Sequence, residues 1–155
     1  AVMQYYGENP VHDLASAKME IEWFLGLPLE QKGARWVIAD RVTDEYIGDA
    51  GIYNFSRTHR RIEIGFKLKK EYWRKGIITF CIQHVLQYGF STLNCNRIEA
   101  LVDKRNIGSI KSLERCGFKR DGLLREYELE QDGFVDLWMF SRLAREHSSD
   151  PSPDE

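Results

Sequence analysis

The chain has 155 residues, of which 43% are apolar and 30% charged, and a net charge of −2. A single domain of that length buries roughly 68–70% of its unfolded surface, so a full core is available and a disordered chain is excluded. The nearly balanced charge gives no global case for nucleic acid, and no apolar run is long enough to cross a bilayer.

Residues His12 to Leu25 carry Leu14, Ala17, Ile21, Phe24 and Leu25 at helical spacing, and Gly26 and Pro28 stop the helix. Trp36 to Ala39 reads as a strand, and a charged turn leads to a second strand, Tyr46 to Phe55. A third, Arg61 to Leu68, puts Ile62, Ile64, Phe66 and Leu68 on one face and Glu63, Gly65 and Lys67 on the other. A long amphipathic helix follows Gly76 and ends near Leu93. Arg97 to Asp103 alternates as a strand, and Ile107 to Arg115 is a short helix closed by Cys116-Gly117 as a glycine C-cap. Phe118 to Leu124 and Arg125 to Gln131 are extended, Asp132-Gly133 is a hairpin turn, and Phe134 to Leu143 is the last strand. Residues 1–145 form one domain on this reading, and 146–155 an acidic, disordered tail. A strand meander followed by a strand–helix–strand unit predicts a mixed, mostly antiparallel α/β sheet with helices on both faces.

Cys81, Cys95 and Cys116 form no CxxC pair, their number is odd, and no signal peptide is visible, so the expected compartment is the reduced cytoplasm. The four histidines share no metal-ligand spacing with them, so no metal is expected.

The stretch before the long helix carries the strongest chemical signal. A helix N-terminus exposes unpaired N–H groups and about half a positive charge. Here Arg74 and Lys75 add two full charges, and Gly76 lets an anion approach the backbone. From Arg57 to Lys75 there are eight basic residues against two acids, an asymmetry that a small polyanionic ligand explains. The alternative is an ordinary solvated helix start. No GxxxxGK[ST] is present, so the segment is not a P-loop.

The stretch "EIGFKLKKEYWRKGIITFCIQHVLQYGF" resembles the acetyl-CoA-binding motif of the GNAT acetyltransferase superfamily, Q/R-x-x-G-x-G/A. Arg74, Lys75 and Gly76 fit its start, and Ile78 stands where Gly or Ala is usual. "NRIEALVDKRNIGSIKSLERCGFKRDGLLREYELEQDGFVDLWMFSRL" resembles the family's other motif, with Asn106, Ser109 and Gly117-Phe118 in register. "RRIEIGF" and "GLLREYELEQDGFVDLWMFS" resemble the branch that acetylates ribosomal-protein N-termini. The resemblance runs from Val2 to Leu143. The family's usual first strand is expected to be missing, in keeping with a chain that opens at Ala1 without methionine.

The resemblance implies acetyl-CoA as co-substrate. Its pyrophosphate would lie on the N–H groups of Lys75, Gly76, Ile77, Ile78 and Thr79, beside Arg74. Its pantetheine would lie along Ile64, Phe66 and Leu68 like an added strand. Asn106 and Ser109 would contact the pantetheine arm or a water, the alternative for Asn106 being a plain helix cap. The reaction is acyl transfer from thioester to amine. An α-amine, with a reference pKa of about 8, is roughly a tenth neutral at pH 7, whereas a lysine amine near about 10.4 is neutral in less than about one part in a thousand. Glu63 is the candidate base, sharing a face with Gly65, where the missing side chain leaves room for substrate; its alternative role is a salt bridge to Arg60 or Arg61. Many superfamily members carry a proton-donating tyrosine where this chain has Leu113. Ser112 and Tyr127 are the replacements considered, and a dedicated acid is unnecessary if solvent protonates the thiolate. The acceptor is a protein N-terminus or a small amine such as a polyamine or aminoglycoside, and the protein a monomer or homodimer with neither nucleic-acid nor membrane partners. A non-catalytic acyl-CoA sensor is the rival class.

Overall fold

The computed structural model describes residues 13–19, 22 and 33–147. Helix α1, residues 14–19, starts at Asp13, whose carboxylate accepts the Ser16 N–H (2.8 Å) as an N-cap. The rest of the expected first helix lies outside the described residues, apart from Glu22.

Six strands follow: β1 (Ala34–Ala39), β2 (Tyr46–Ser56), β3 (Arg61–Leu68), β4 (Arg97–Asp103), β5 (Lys119–Glu130) and β6 (Gly133–Leu143). Among the described residues they form one sheet in the order β1-β2-β3-β4-β6-β5, in which β3 and β4 are the one neighbouring pair that runs parallel. Helix α2 (Ile77–Gln87) connects β3 to β4, and α3 (Ile107–Arg115) connects β4 to β5. Both crossovers step the same way across the sheet, and right-handed crossovers then put both helices on the same face. The core agrees. Ile62 and Ile64 of β3 and Ile98, Ala100 and Val102 of β4 are buried in one cluster with Ile82, Val85 and Leu86 of α2 and Ile110 and Leu113 of α3. These strand residues are all even-numbered, as the period of two requires.

The opposite face is polar. On it Asp49 is buried against Arg35 and Tyr46, with Lys67 at 3.8 Å. Glu99 is paired with Arg97 (2.6 Å) and Arg61 (3.7 Å).

Three departures from expectation have local causes. The long helix changes to a π turn at Tyr88–Thr92, where Gly89 sits under Ile62 and Ile98; a Cβ there would meet their Cδ1 atoms at 2.9 and 2.7 Å. β5 is one strand rather than two segments, interrupted where residues 125–127 bulge out and the Glu126 N–H donates to Asp136 Oδ1 (2.8 Å). Glu146 and His147, expected in the tail, belong to a short helix α4 (Ala144–His147), where Glu146 accepts from Lys119 Nζ (2.5 Å) and the Leu143 N–H (3.0 Å). Residues 148–155 lie outside the described residues.

Leu113 is fully buried at the centre of this core. Leu113→Ala is expected to lower stability by about 2–5 kcal/mol through the cavity it leaves, read as the change in unfolding free energy in urea. Leu113→Tyr is expected to cost about 1–3 kcal/mol by overpacking the same position.

Candidate active site

The site begins with a pairing that stops. β3 and β4 match only at Arg61↔Arg97, Ile62↔Ile98 and Glu63↔Glu99. Beyond that, β3 runs on to Leu68 held by β2, and β4 runs on to Asp103 held by β6. A wedge opens between them, with Glu63 and Glu99 at its apex.

The edge of β3 that faces the wedge follows from register. Lys69 N–H donates to the Ile47 carbonyl across the β2 pair (2.8 Å). In an antiparallel ladder alternate residues point to the same neighbour, so Lys67, Gly65 and Glu63 direct their backbone groups to β2. Ile64, Phe66 and Leu68 direct theirs into the wedge. Three of those six groups have partners: the last rung of the β3–β4 ladder commits the Ile64 N–H to the Glu99 carbonyl, the Leu68 carbonyl accepts the Trp73 indole N–H (2.8 Å), and the Ile64 carbonyl accepts the Tyr53 hydroxyl (3.3 Å). The Phe66 and Leu68 N–H groups and the Phe66 carbonyl form an open strand edge.

Both helix N-termini stand at the mouth of the wedge, because each helix follows the C-terminal end of one of its strands. They differ. α3 is capped by its own chain, with Asn106 Oδ1 accepting the Ser109 N–H (3.1 Å), so Asn106 takes the cap role and Ser109 supplies its partner. α2 has no side-chain cap. Its first intrahelical bond is from Phe80 N–H to the Gly76 carbonyl (3.0 Å), so the N–H groups of Ile77, Ile78 and Thr79 have no acceptor inside the helix. Arg74 (φ 62°) and Gly76 (φ 79°) are both left-handed, a turn that gathers backbone N–H groups into a concavity suited to anions. A Cβ on Gly76 would meet nothing within 4 Å, so glycine is needed here for its backbone angle. Arg74 and Lys75 are exposed, Lys75 over the Tyr72 ring at 5.0 Å.

At the apex, Glu63 is half-buried and accepts from Asn54 Nδ2 (3.0 Å). Burial pushes its carboxyl above the usual range and the Glu99 charge adds to this, while hydrogen bonds from Asn54 and Tyr53 and the Arg61 charge oppose it. The salt bridge considered as its other role is not formed: Arg60 reaches Asn94 (2.6 and 2.7 Å) and Arg61 pairs with Glu99. A bulge in β2 between Tyr53 and Ser56, with Asn54 at φ 53°, turns Tyr53 and Asn54 onto Glu63 together. The space over Gly65 is not left for substrate as expected. It is filled by Tyr53, whose hydroxyl would lie 2.7 Å from a Cβ at Gly65. Sequence reasoning passed over Tyr53 because the bulge that aims it has no local signature.

The other two acid candidates do not converge on Glu63. Ser112 spends its hydroxyl on the Gly108 carbonyl (3.0 Å). Tyr127 lies in the β5 bulge, three strand spacings from β3 and so about 14 Å away across the sheet. Among the described residues no group of His, Cys, Asp or Glu is arranged to hold a metal, and no helix is long and apolar enough to cross a membrane.

Residues 1–119 match the family described as acetyltransferase (GNAT) domain. This chain is a GNAT N-acetyltransferase. It is 38% identical over 147 residues to the uncharacterized N-acetyltransferase p20 of Bacillus licheniformis, covering 95% of this chain and 83% of that one. It is 27% identical to the spermidine N(1)-acetyltransferase of Escherichia coli strain K12, over 82% of this chain and 66% of that one. Two solved structures, each 23% identical, share the fold. The spermidine N-acetyltransferase of Vibrio cholerae with CoA and spermine has a TM-score of 0.83 over 96% of this chain and 85% of its own. The ribosomal-protein-S5-alanine acetyltransferase of Vibrio fischeri has a TM-score of 0.79 over 94% and 80%. The mixed sheet of this GNAT enzyme is thus the one its sequence led to, with the wedge as its distinctive opening.

Gly76→Ala adds a side chain in open space but at a left-handed angle, so its expected effect is backbone strain alone, a loss of about 1–2 kcal/mol of stability. Gly76→Asn is expected to lose less, since asparagine tolerates that angle better. Denaturant unfolding of the two variants beside the native protein checks the order.

Proposed function

We propose that this enzyme transfers the acetyl group of acetyl-CoA to a primary amine, with Glu63 as general base. The observation that carries this reading is the open edge of β3 inside the wedge, ending at a half-buried carboxylate. A pantetheine arm has two amides, and the free groups of Phe66, with the Leu68 N–H beside them, offer the ladder such an arm needs. The uncapped N–H groups of Ile77, Ile78 and Thr79, with Arg74, Lys75 and Gly76, suit the pyrophosphate. At the apex the incoming ammonium gives its first proton to solvent and reacts as the neutral amine. The amine nitrogen attacks the thioester carbon, Glu63 takes the second proton as the C–N bond forms, the C–S bond breaks, and CoA leaves as thiolate. A free N–H of the open edge, that of Phe66 or Leu68, is the donor for the developing oxyanion.

For the acceptor, we favour the α-amine of a peptide N-terminus. Among the described residues at the apex, Glu99 is already paired with Arg61 and Arg97, which leaves Glu63 for the incoming group. That balance suits a single ammonium, and the resemblance to the ribosomal-protein branch agrees with it. A polyamine is the second reading, supported by the 27% identity to a spermidine acetyltransferase. Thiol release from acetyl-CoA, measured with N-terminal peptides, spermidine and spermine in parallel, tests both; turnover with polyamines alone overturns the first.

Glu63→Gln is expected to lower turnover at pH 7 by at least about tenfold, since general-base assistance is typically worth about 10²–10⁴. Protonated Glu63 cannot accept a proton, so native activity is lost as pH falls through a carboxyl pKa raised above its ordinary value. The variant is expected to lack that acid limb and to recover partly at high pH, where the amine is neutral. Acetyl-CoA affinity is expected to stay within about twofold, whereas Gly76→Asp, which puts a negative charge at the α2 mouth, is expected to abolish the rise in melting temperature that acetyl-CoA gives the native protein. Turnover against pH and thermal melts with and without acetyl-CoA check these outcomes.

A further inference from the structure

Leu113, which stands where the family resemblance led to the expectation of a proton-donating tyrosine, is buried in the core. Ser112 donates to the Gly108 carbonyl, and Tyr127 is across the sheet. A phenol nevertheless reaches the apex from the opposite side. Tyr53 is the cross-strand partner of Glu63 on β2. Its ring crosses over β3 at Gly65, and its hydroxyl lies 3.3 Å from the Ile64 carbonyl, a group that faces the wedge. Tyr53 is also among the groups that favour the ionised form of Glu63, its cross-strand partner. Gly65 is what makes this crossing possible, since a Cβ there would stand 2.7 Å from the hydroxyl and 3.0 Å from the ring.

We propose that Tyr53 is the general acid of this enzyme, delivering its phenolic proton to the departing CoA thiolate and regaining one from Glu63. This rests on the acetyl-transfer reading above. The proton sequence balances without any other reactant. Glu63 takes a proton from the amine as the C–N bond forms. Tyr53 gives its proton to the thiolate as the C–S bond breaks, and the resulting phenolate takes the proton held by Glu63, its cross-strand neighbour, directly or through one water. The net change is one proton moved from nitrogen to sulfur, with Glu63 ionised and Tyr53 neutral again for the next turnover. The acid thus comes from the strand beside the base, in place of one from helix α3.

The test is Tyr53→Phe, which keeps the ring over Gly65 and removes only the hydroxyl. With acetyl-CoA and whichever of an N-terminal peptide or spermidine gives thiol release, kcat is expected to fall at least about tenfold. KM for acetyl-CoA and the melting temperature are expected to stay close to native. A structural role would not alter the pH profile, but an acid does: native kcat is expected to fall at alkaline pH as Tyr53 ionises, and the variant to lack that limb. Gly65→Ala, which pushes on the hydroxyl, is expected to lower kcat in the native background and to add little in the Tyr53→Phe background. Native kcat in Tyr53→Phe, with Glu63→Gln impaired, overturns the relay and leaves the acetyl-transfer reading standing. A loss of kcat with an unchanged alkaline limb also overturns it. No thiol release from the native enzyme with any of these amines overturns both.

Discussion

The site depends on two parallel strands that pair for three residues and then part. Each is held on its far side by an antiparallel neighbour, β2 for β3 and β6 for β4, so neither is free to swing across and close the gap. The parted edges retain backbone donors and acceptors that would cost free energy if buried without partners. Trp73 occupies the Leu68 carbonyl and Tyr53 the Ile64 carbonyl, at the two ends of the open edge. What lies between them is a short run of strand with its hydrogen-bonding groups unspent, the arrangement that accepts an extended amide-bearing ligand.

The apex chemistry depends on a second local irregularity. In a regular strand Tyr53 and Asn54 would point to opposite faces. The extra residue between Tyr53 and Ser56, with Asn54 left-handed, brings both to Glu63. Asn54 and Tyr53 then stabilise the ionised carboxylate, while burial and Glu99 disfavour it. The competition leaves a carboxyl whose affinity for a proton is above the ordinary, which is what a base facing an ammonium requires. Arg61 and Arg97 hold Glu99 as an ion pair beside it.

Much of this was legible in the sequence, and the boundary between what was and what was not is a physical one. β3, β4 and α3 were read with the bounds they have, because alternation in "RIEIGFKL" and "RIEALVD", and the asparagine and glycine flanking α3, are strong local signals. The α2 mouth was legible for the same reason. Non-local features were not. Gly65 was read as room for a substrate, yet its missing Cβ accommodates Tyr53 from the next strand, a contact fixed by register and bulge. Asn106 was read as either ligand contact or cap, and only the Ser109 bond identifies the cap. Tyr127 had the right chemistry on the wrong strand, because sheet order does not follow chain order.

The two helix mouths show how the same fold assigns unlike tasks to similar ends. Basic residues stand near both. Beside α3, Lys104 is paired with Asp136 (2.7 Å) and Arg105 with Asp103 and Glu130 (2.8 Å), and Asn106 closes the first turn. Within the basic segment before α2, Arg61, Lys67 and Lys69 are likewise committed, to Glu99, Asp49 and Glu45. Arg74 and Lys75 are not neutralised in this way, and the turn they occupy is left-handed at both ends with no capping side chain. A helix N-terminus attracts an anion by about 0.3–1 kcal/mol at an exposed position, and two uncommitted cations add to that attraction. A capped end whose cations are already paired adds little. Of the eight cations in that segment, Arg61, Lys67 and Lys69 thus hold strands through paired acids, whereas Arg74 and Lys75 stand at the uncapped turn.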